Sequence, residues 1–536
     1  MRKLSIIILC IILLIALGLR VYKLTEIPPS LYWDEASLGY NAYAILNSGI
    51  DEHGETYPTS RFTAFGDYKP PGYIYATAVS MAIFGSNEFS VRFPSSASGV
   101  LMVLLTYFLV KLLYKSTHIA LISSFLLSIS PWSLQLSRAA FEAHLAAMYN
   151  LLGVLLFLLA LKRKWILPIS VISFVASFYT FNANRIIAPL LLGFLSIMYF
   201  KEIVSSKKWI ILSFIIGVCL LIPSFNYLIT RESRLRFQEV SIFTSLDTVK
   251  KANNRIERDQ NAWWAKILHN RRVYFAADFL KHYVDNFKGS FLFISGDQNP
   301  RLSVQNSGEM YLFELPFLIV GAFWLLKQKN KITLLLFGWL IIAPIPAATA
   351  RETPHMLRIA SILPIYQIIT ALGVVYFWHF SRIYSFKKRI IPCIFIALFA
   401  LLNVAYYFHY YYAHYSSDWA GEWQYGYKQL VEKVKKLEGA YDRIEVTSQL
   451  GRPYIYFLFY NKVNPNDYVA TRRAERDWYG LWNVYGFGNY DFQGNLPKHN
   501  ERILYAKIPG EFPTDAKILD KVIAPNGKTV FLVGEY

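Results

Sequence analysis

Two neighbouring acids, Asp34 and Glu35, stand in Leu31-Tyr32-Trp33-Asp34-Glu35-Ala36-Ser37-Leu38-Gly39-Tyr40. A carboxylate beside aromatic side chains and partly withdrawn from water can act as a general base. The plainer reading is that both acids open a helix running to about Leu46, because the helix dipole favours negative charge there. Next comes Phe65-Gly66-Asp67-Tyr68-Lys69-Pro70-Pro71-Gly72-Tyr73. Two prolines fix the backbone just after Lys69. A Lys held at lipid-headgroup depth is suited to a phosphate, although a Lys snorkelling to the membrane interface gives the same pattern.

Further charges are scattered singly. Arg92 lies in Val91-Arg92-Phe93-Pro94-Ser95. Arg138 and Glu142, in Ser137-Arg138-Ala139-Ala140-Phe141-Glu142, are four apart and are expected to pair on one helix face. Arg185 follows Asn182-Ala183-Asn184. His355 and Arg358 stand in Arg351-Glu352-Thr353-Pro354-His355-Met356-Leu357-Arg358. Arg358 falls about one residue inside an apolar stretch, where an Arg is costly and therefore a functional candidate.

The elements that hold these residues follow from composition. The chain has 536 residues, a hydrophobic fraction of 54% and a charged fraction of 17%, with mean hydropathy +0.29. A disordered chain is excluded, and a soluble enzyme normally carries roughly a quarter charged residues. Apolar stretches near 4–19, 93–113, 119–136, 143–161, 165–182, 185–200, 209–230, 310–326, 332–349, 357–379 and 389–412 predict about eleven membrane spans. The first reads as an uncleaved span rather than a signal peptide, because no small-x-small site follows it.

The net charge is +19. Its clusters fall in every second short loop: Lys111 and Lys115; Lys162, Arg163 and Lys164; Lys201, Lys207 and Lys208; Lys327, Lys329 and Lys331; and Arg382, Lys387, Lys388 and Arg389. That alternation predicts a plasma-membrane protein with a cytoplasmic N-terminus. A nucleic-acid partner is not expected, since no continuous basic stripe exists. The apolar segment Gly72 to Phe84 is too short to span, and counting it would put the basic clusters outside. It is expected as an amphipathic or re-entrant element in the outer interface, with Tyr73, Tyr75 and Phe84 at headgroup level.

Three long segments are then expected outside: 21–92, 231–309 and the tail from about Tyr415. Residues 231–309 are basic and aromatic, with Arg234, Arg236, Trp263, Trp264, Arg271 and Arg272. Residues 1–414 form the expected transmembrane module, and 415–536 an extracytoplasmic α/β domain with its own core. Within it an amphipathic helix is predicted over Trp419 to Leu437, and strands over Arg443 to Thr447 and Thr529 to Val533. Cys10, Cys219 and Cys393 all lie in separate predicted spans, so neither a disulfide framework nor a thiolate metal site is indicated. No phosphate-binding glycine loop and no zinc-protease motif is present.

On this topology Asp34, Glu35, Lys69, Arg138, Arg185, His355 and Arg358 all fall on the outer side. The sequence Trp33-Asp34-Glu35, then Lys69-Pro70-Pro71, then Arg92-Phe93-Pro94-Ser95 resembles the lipid-carrier-dependent glycosyltransferases of the GT-C fold, of the protein O-mannosyltransferase and aminoarabinose-transferase type. Ser137 to Glu142, Gly296-Asp297-Gln298-Asn299-Pro300-Arg301, and Pro354-His355 with Arg358 extend the resemblance, and the tail resembles the C-terminal domain of the aminoarabinose-transferase type more weakly. No long C-terminal repeat domain of the eukaryotic mannosyltransferase kind is present.

The resemblance implies a polytopic helical membrane enzyme that moves a sugar, with inversion, from a polyprenyl-phosphate donor to a protein, lipid or glycan acceptor. It implies Asp34 as base with Glu35 in support, and Lys69, Arg358, Arg185 and His355 near the donor phosphate. Tyr68, Arg92, Arg138 and Glu142 would shape the site, and His282 and Asp297 would face the acceptor. No nucleotide sugar is used in it, and a divalent metal is left open. Carboxylates are of the type that holds a divalent ion, but no spacing demands one. A transporter or lipid flippase, or an envelope polysaccharide polymerase or ligase using pyrophosphate donors, are the alternatives. Ionisable groups clustered at one face rather than at the midplane speak against transport.

Overall fold

The computed structural model describes residues 2–65, 67–230, 233, 241–382, 385–477, 482–494 and 501–536. Arg234 and Arg236 lie outside the described residues. The chain divides into two compact units. One comprises Met1–Ala16, Gly99–Ser133 and Ala143–Val404; the other comprises Leu17–Ser98, Leu134–Glu142 and Ala405–Tyr536. The tail from Tyr415 is therefore not a unit by itself. It shares one with the segment after the first helix and with the turn around Arg138.

Among the described residues seven helices are long and apolar enough to cross a membrane: Lys3–Val21, Glu88–Tyr114, Glu142–Ala160, Lys207–Leu228, Lys331–Ala348, Ala360–Ser381 and Ile390–Ala413. An eighth candidate is the pair Thr117–Ile129 and Pro131–Ser137, bent by 55°. The bend follows from Ser130, whose ψ of 126° is the extended conformation favoured before a proline. Three expected spans form helices that are short for the task. Leu167–Phe178, Asn184–Met198 and Glu314–Gln328 have 12, 15 and 15 residues, or about 18–22 Å against a hydrocarbon core of about 30 Å. Among the described residues the helix lengths thus give seven or eight full-length spans against the eleven expected.

The helical unit leaves large apolar side chains outward, such as Phe214 at 71%, Phe225 at 67% and Leu402 at 66% exposure. Exposed apolar surface on this scale marks a membrane-embedded protein. Inside the unit, Glu314–Gln328 and Ile365–Ser381 pack face to face. A Cβ built on Gly321 would lie 1.9 Å from the Ile369 carbonyl oxygen, and one on Gly373 would lie 1.9 Å from that of Phe317. Small residues let the two backbones touch, as at close helix crossings in membranes. Cys10, Cys219 and Cys393 are all free thiols.

The second unit is built around the helix Trp33–Ser48. It packs on the helices Gly72–Phe84 and Pro453–Asn461. Gly39 provides the room, since a Cβ there would meet the Phe459 ring at 2.7 Å. Gly72–Phe84 is a 13-residue helix, as its length requires. Its Tyr73, however, is fully buried and donates to the Val91 carbonyl at 3.0 Å, so this ring belongs to the core rather than to an interface belt. Phe84 and Val79 remain exposed.

Nine strands are present among the described residues: β1 (Phe62–Ala64), β2 (Asp67–Lys69), β3 (Arg443–Val446), β4 (Arg473–Arg476), β5 (Trp482–Phe487), β6 (Tyr490–Asp491), β7 (Ile503–Lys507), β8 (Lys517–Ile523) and β9 (Thr529–Glu535). β1 and β2 form a hairpin, and the others form one sheet in the order β4-β5-β6-β3-β7-β9-β8. β3 runs parallel to both of its neighbours. The predicted strands are thus present as β3 and β9. The predicted helix is shorter, Tyr427–Leu437. Gly426 at φ +112° takes a conformation that L side chains rarely adopt and starts the helix there. Trp423, Tyr427, Leu430 and Val434 are buried, as the apolar spacing requires.

Candidate functional site

The second unit gathers seven of the predicted residues: Asp34, Glu35, Tyr68, Lys69, Arg92, Arg138 and Glu142. Tyr32, extended at ψ 168°, precedes the helix that carries Asp34 and Glu35 in its first turn. The β1–β2 hairpin pairs Lys69 with Phe62, and Pro70-Pro71 lead directly into the next helix. The Lys69 side chain is 7% exposed. It turns inward, where its Nζ meets Asp34 Oδ1 at 2.7 Å and Glu142 Oε1 at 3.8 Å. Snorkelling to an interface is therefore not its role. Tyr68 is buried beneath the Arg61 guanidinium, 5.1 Å from its ring.

Glu35 differs entirely from its neighbour. Its side chain is fully buried. Oε1 accepts from Arg92 Nε at 2.9 Å and from the Ala140 N–H at 2.7 Å. Oε2 accepts from Arg92 Nη2 at 2.9 Å and from the Tyr32 N–H at 3.3 Å. Four donors occupy the lone-pair directions of this carboxylate, and none of them comes from solvent. The Asp34 side chain keeps 31% exposure and is the one open to a reactant. The two neighbouring carboxylates thus differ in burial and in the donors that surround them.

Arg92 is fully buried as well. Beyond Glu35 it donates from Nη1 to the carbonyls of Leu24 and Pro28, and from Nη2 to that of Ser30, with Trp423 5.7 Å from its guanidinium. Arg138 has the same character. It donates to the carbonyls of Leu19, Tyr22, Lys23 and Ile27 and to the Tyr411 hydroxyl. These carbonyls lie at and beyond the C-terminus of the first helix, where backbone acceptors lack helical partners and cations are favoured. The expected Arg138–Glu142 pair on one helix face is absent as such. The helix Pro131–Ser137 ends before Arg138 and the next begins at Glu142. Glu142 instead faces Lys69.

No spacing rule could have found the Glu35–Arg92 bond, which joins residues 57 apart. The part of the tail was also hidden: Trp33 donates its N–H to Gln424 Oε1 at 2.9 Å.

The helical unit holds the other three predicted residues, which are described within it. Arg185 lies against the rings of Phe178 and Tyr227, at 5.8 and 5.2 Å. Asn184 beside it is fixed by a buried polar chain. Asn150 Nδ2 donates to Ser361 Oγ, that hydroxyl to Asn184 Oδ1, and Asn184 Nδ2 to Ser177 Oγ. His355 is pushed down to about 3 by burial and by Arg358. It is a neutral imidazole near neutral pH and brings no positive charge to a phosphate. Arg358 donates to the Glu352 carbonyl at 3.3 Å.

Asp297 accepts from the Met356 N–H at 2.8 Å and the Asn299 N–H at 2.9 Å, while its own N–H donates to Glu309 Oε1. Burial pushes Asp297 up to about 6 and Glu309 well above the usual range. Both are built into the loop's framework. His282 Nδ1 is 2.7 Å from the Ala350 carbonyl. An apolar cavity of about 350 Å³ opens among Phe157, Phe174, Phe178, Leu192, Phe214 and Leu221. Among the described residues, no three His, Cys, Asp or Glu side chains are grouped to hold a metal ion.

Residues 68–227 match the family described as dolichyl-phosphate-mannose-protein mannosyltransferase. No curated protein matches the chain in sequence. Among solved structures, ArnT from Cupriavidus metallidurans in the apo state aligns at TM-score 0.54 and 11% identity, over 100% of this chain and 98% of that one. The same protein bound to undecaprenyl phosphate aligns at 0.51 and 10%, over 99% and 97%. The archaeal oligosaccharyltransferase AglB from Archaeoglobus fulgidus, with an inhibitory peptide and a dolichol-phosphate, aligns at 0.51 and 15%, over 92% and 75%. At such identities these structures establish the shared fold. The family match covers residues 68–227, and the likeness to ArnT and AglB is one of fold.

Proposed function

We propose that this chain is an inverting glycosyltransferase of the plasma membrane, with the N-terminus cytoplasmic and the tail outside. It moves a sugar from a polyprenyl-phosphate donor to an acceptor on the outer face. The observation that carries the reading is the contrast within Asp34-Glu35: one carboxylate closed by four donors, the other reachable and held by a buried Lys69. The orientation rests on the alternation of basic loops in the sequence.

In the proposed step the acceptor hydroxyl oxygen attacks the anomeric carbon and the bond from that carbon to the phosphate oxygen breaks. The hydroxyl proton goes to Asp34, and the bonding pair leaves with polyprenyl phosphate. Lys69 lies between two carboxylates and sets the Asp34 rotamer. Its further part, as a cation for the departing phosphate, accords with the need to stabilise developing negative charge. Arg185 and Arg358 are proposed for that phosphate as charges and His355 as a neutral hydrogen-bonding group, each read by the donor KM of its own variant. ArnT with undecaprenyl phosphate and AglB with dolichol-phosphate support a lipid-phosphate donor by likeness of fold.

The test uses purified protein with polyprenyl-phosphate-linked sugars and candidate acceptors. Wild type is expected to release polyprenyl monophosphate, and Asp34→Asn to release none above background. Release of polyprenyl pyrophosphate would select the polymerase or ligase alternative. Lipid flux in proteoliposomes without covalent product would select the transporter.

A further inference from the structure

A cavity of about 280 Å³ lies in the second unit, close to the lower size limit of ligand pockets (~300 Å³). It opens at the C-terminal end of β3, the strand with parallel neighbours on both sides. In α/β sheets the crevice beyond such strand ends, where connections depart in opposite directions, is where ligands bind. Its wall combines Arg452, Asn483 and Gln493 with the rings of Tyr454, Tyr485 and Phe492.

Two contacts tie this wall to the Asp34 site within the same unit. Gly451 packs on the Trp33 ring, leaving no room for a Cβ, which would come within 2.4 Å. Trp33 immediately precedes Asp34. The Arg452 guanidinium lies 5.0 Å from the Phe65 ring, in the turn that leads into the strand carrying Lys69. Arg452 is itself oriented by donating Nη1 to the Trp482 carbonyl at 2.9 Å.

We propose that this cavity is a saccharide subsite that holds a sugar ring of the acceptor, so that the acceptor is a glycan or glycolipid. The proposal rests on the glycosyltransferase reading above. Side-chain amides and a guanidinium match the paired donors and acceptors of sugar hydroxyls, and aromatic rings match the apolar face of a pyranose. Among the described residues its wall carries one cation, Arg452, beside neutral amides and aromatic rings.

The experiment is saturation-transfer NMR on the full chain in detergent micelles, with millimolar methyl glycosides of glucose, galactose, mannose, N-acetylglucosamine and glucuronic acid, and a Ser/Thr-containing peptide in parallel. At least one glycoside is expected to receive saturation from wild type and equally from Asp34→Asn. Asn483→Ala and the more exposed Gln493→Ala are each expected to weaken it about fivefold, the loss of one hydrogen bond, with unchanged Tm. No binding by any glycoside, equal binding by both variants, or binding of the peptide alone would overturn the proposal. Because binding is read without turnover, glycoside binding in a chain that never transfers sugar would instead count against the glycosyltransferase reading alone.

Discussion

Asp34 and Glu35 are adjacent on one helical turn, yet Asp34 keeps 31% of its side chain exposed while Glu35 keeps none. Each has its own cation, Lys69 at 2.7 Å and Arg92 at 2.9 Å. Successive helical residues point about 100° apart, so one carboxylate turns to the open side and the other into the core.

This division predicts opposite phenotypes. Asp34→Asn should keep the fold and lower kcat by about 10²–10⁴, the usual contribution of a general base. Glu35→Gln should leave the Arg92 charge buried and uncompensated, at about 3–5 kcal/mol of stability. Thermal unfolding beside turnover separates them. A stable Glu35→Gln protein would sink the structural assignment.

Lys69→Ala should lower kcat/KM by about 10²–10³, as loss of a preorganised cation does. Lys69→Arg should recover part of it, since the two carboxylates at 2.7 and 3.8 Å still need a charge. A rise in donor KM would support the phosphate role, whereas a fall in kcat alone would confine Lys69 to positioning Asp34.

Arg138→Ala removes the donors for four backbone carbonyls. Leu19 keeps the Tyr412 hydroxyl and Lys23 keeps the Glu26 and Ile27 N–H groups, so the loss falls on the Tyr22 and Ile27 carbonyls, and a buried carbonyl left unsatisfied costs about 1–3 kcal/mol. The expected result is a sharp drop in Tm in detergent. Arg138→Lys should rescue little, because one ammonium cannot copy the guanidinium fork.

The loop around Asp297 should respond to pH. Its carboxyl, near 6 when folded, binds a proton more tightly than the ordinary carboxyl of about 3.9. The stability that this provides is complete below about pH 4 and is lost as pH rises through 6, on the order of 2–3 kcal/mol. Groups facing it are Arg358 and Glu352, and Glu309, which accepts from the Asp297 N–H. Asp297→Asn should flatten the Tm profile between pH 4 and 7, and an unchanged slope would refute the assignment.

Gly321→Ala tests the crossing of two helices whose backbones touch. Forced separation at a packed site costs about 1–3 kcal/mol. Loss of Tm in the variant, with Gly193→Ala as an open-space control, is the expected outcome.

A helical membrane chain with an α/β tail was legible from the residues alone, because hydropathy over 20 residues and alternation over five are local properties. Asp34 and Lys69 were also marked by their aromatic and proline neighbours. Local patterns could not show that three expected spans are helices of 12 to 15 residues, since an apolar run does not reveal where its backbone turns. It took the packed fold to close Arg92 and Arg138 inside a carbonyl framework and to turn Glu142 toward Lys69 rather than Arg138. The fold also placed the tail in the same unit as Asp34. Those outcomes depend on which buried donors find which acceptors across tens to hundreds of residues. That pairing is set by packing and by the cost of leaving any buried polar group unpaired.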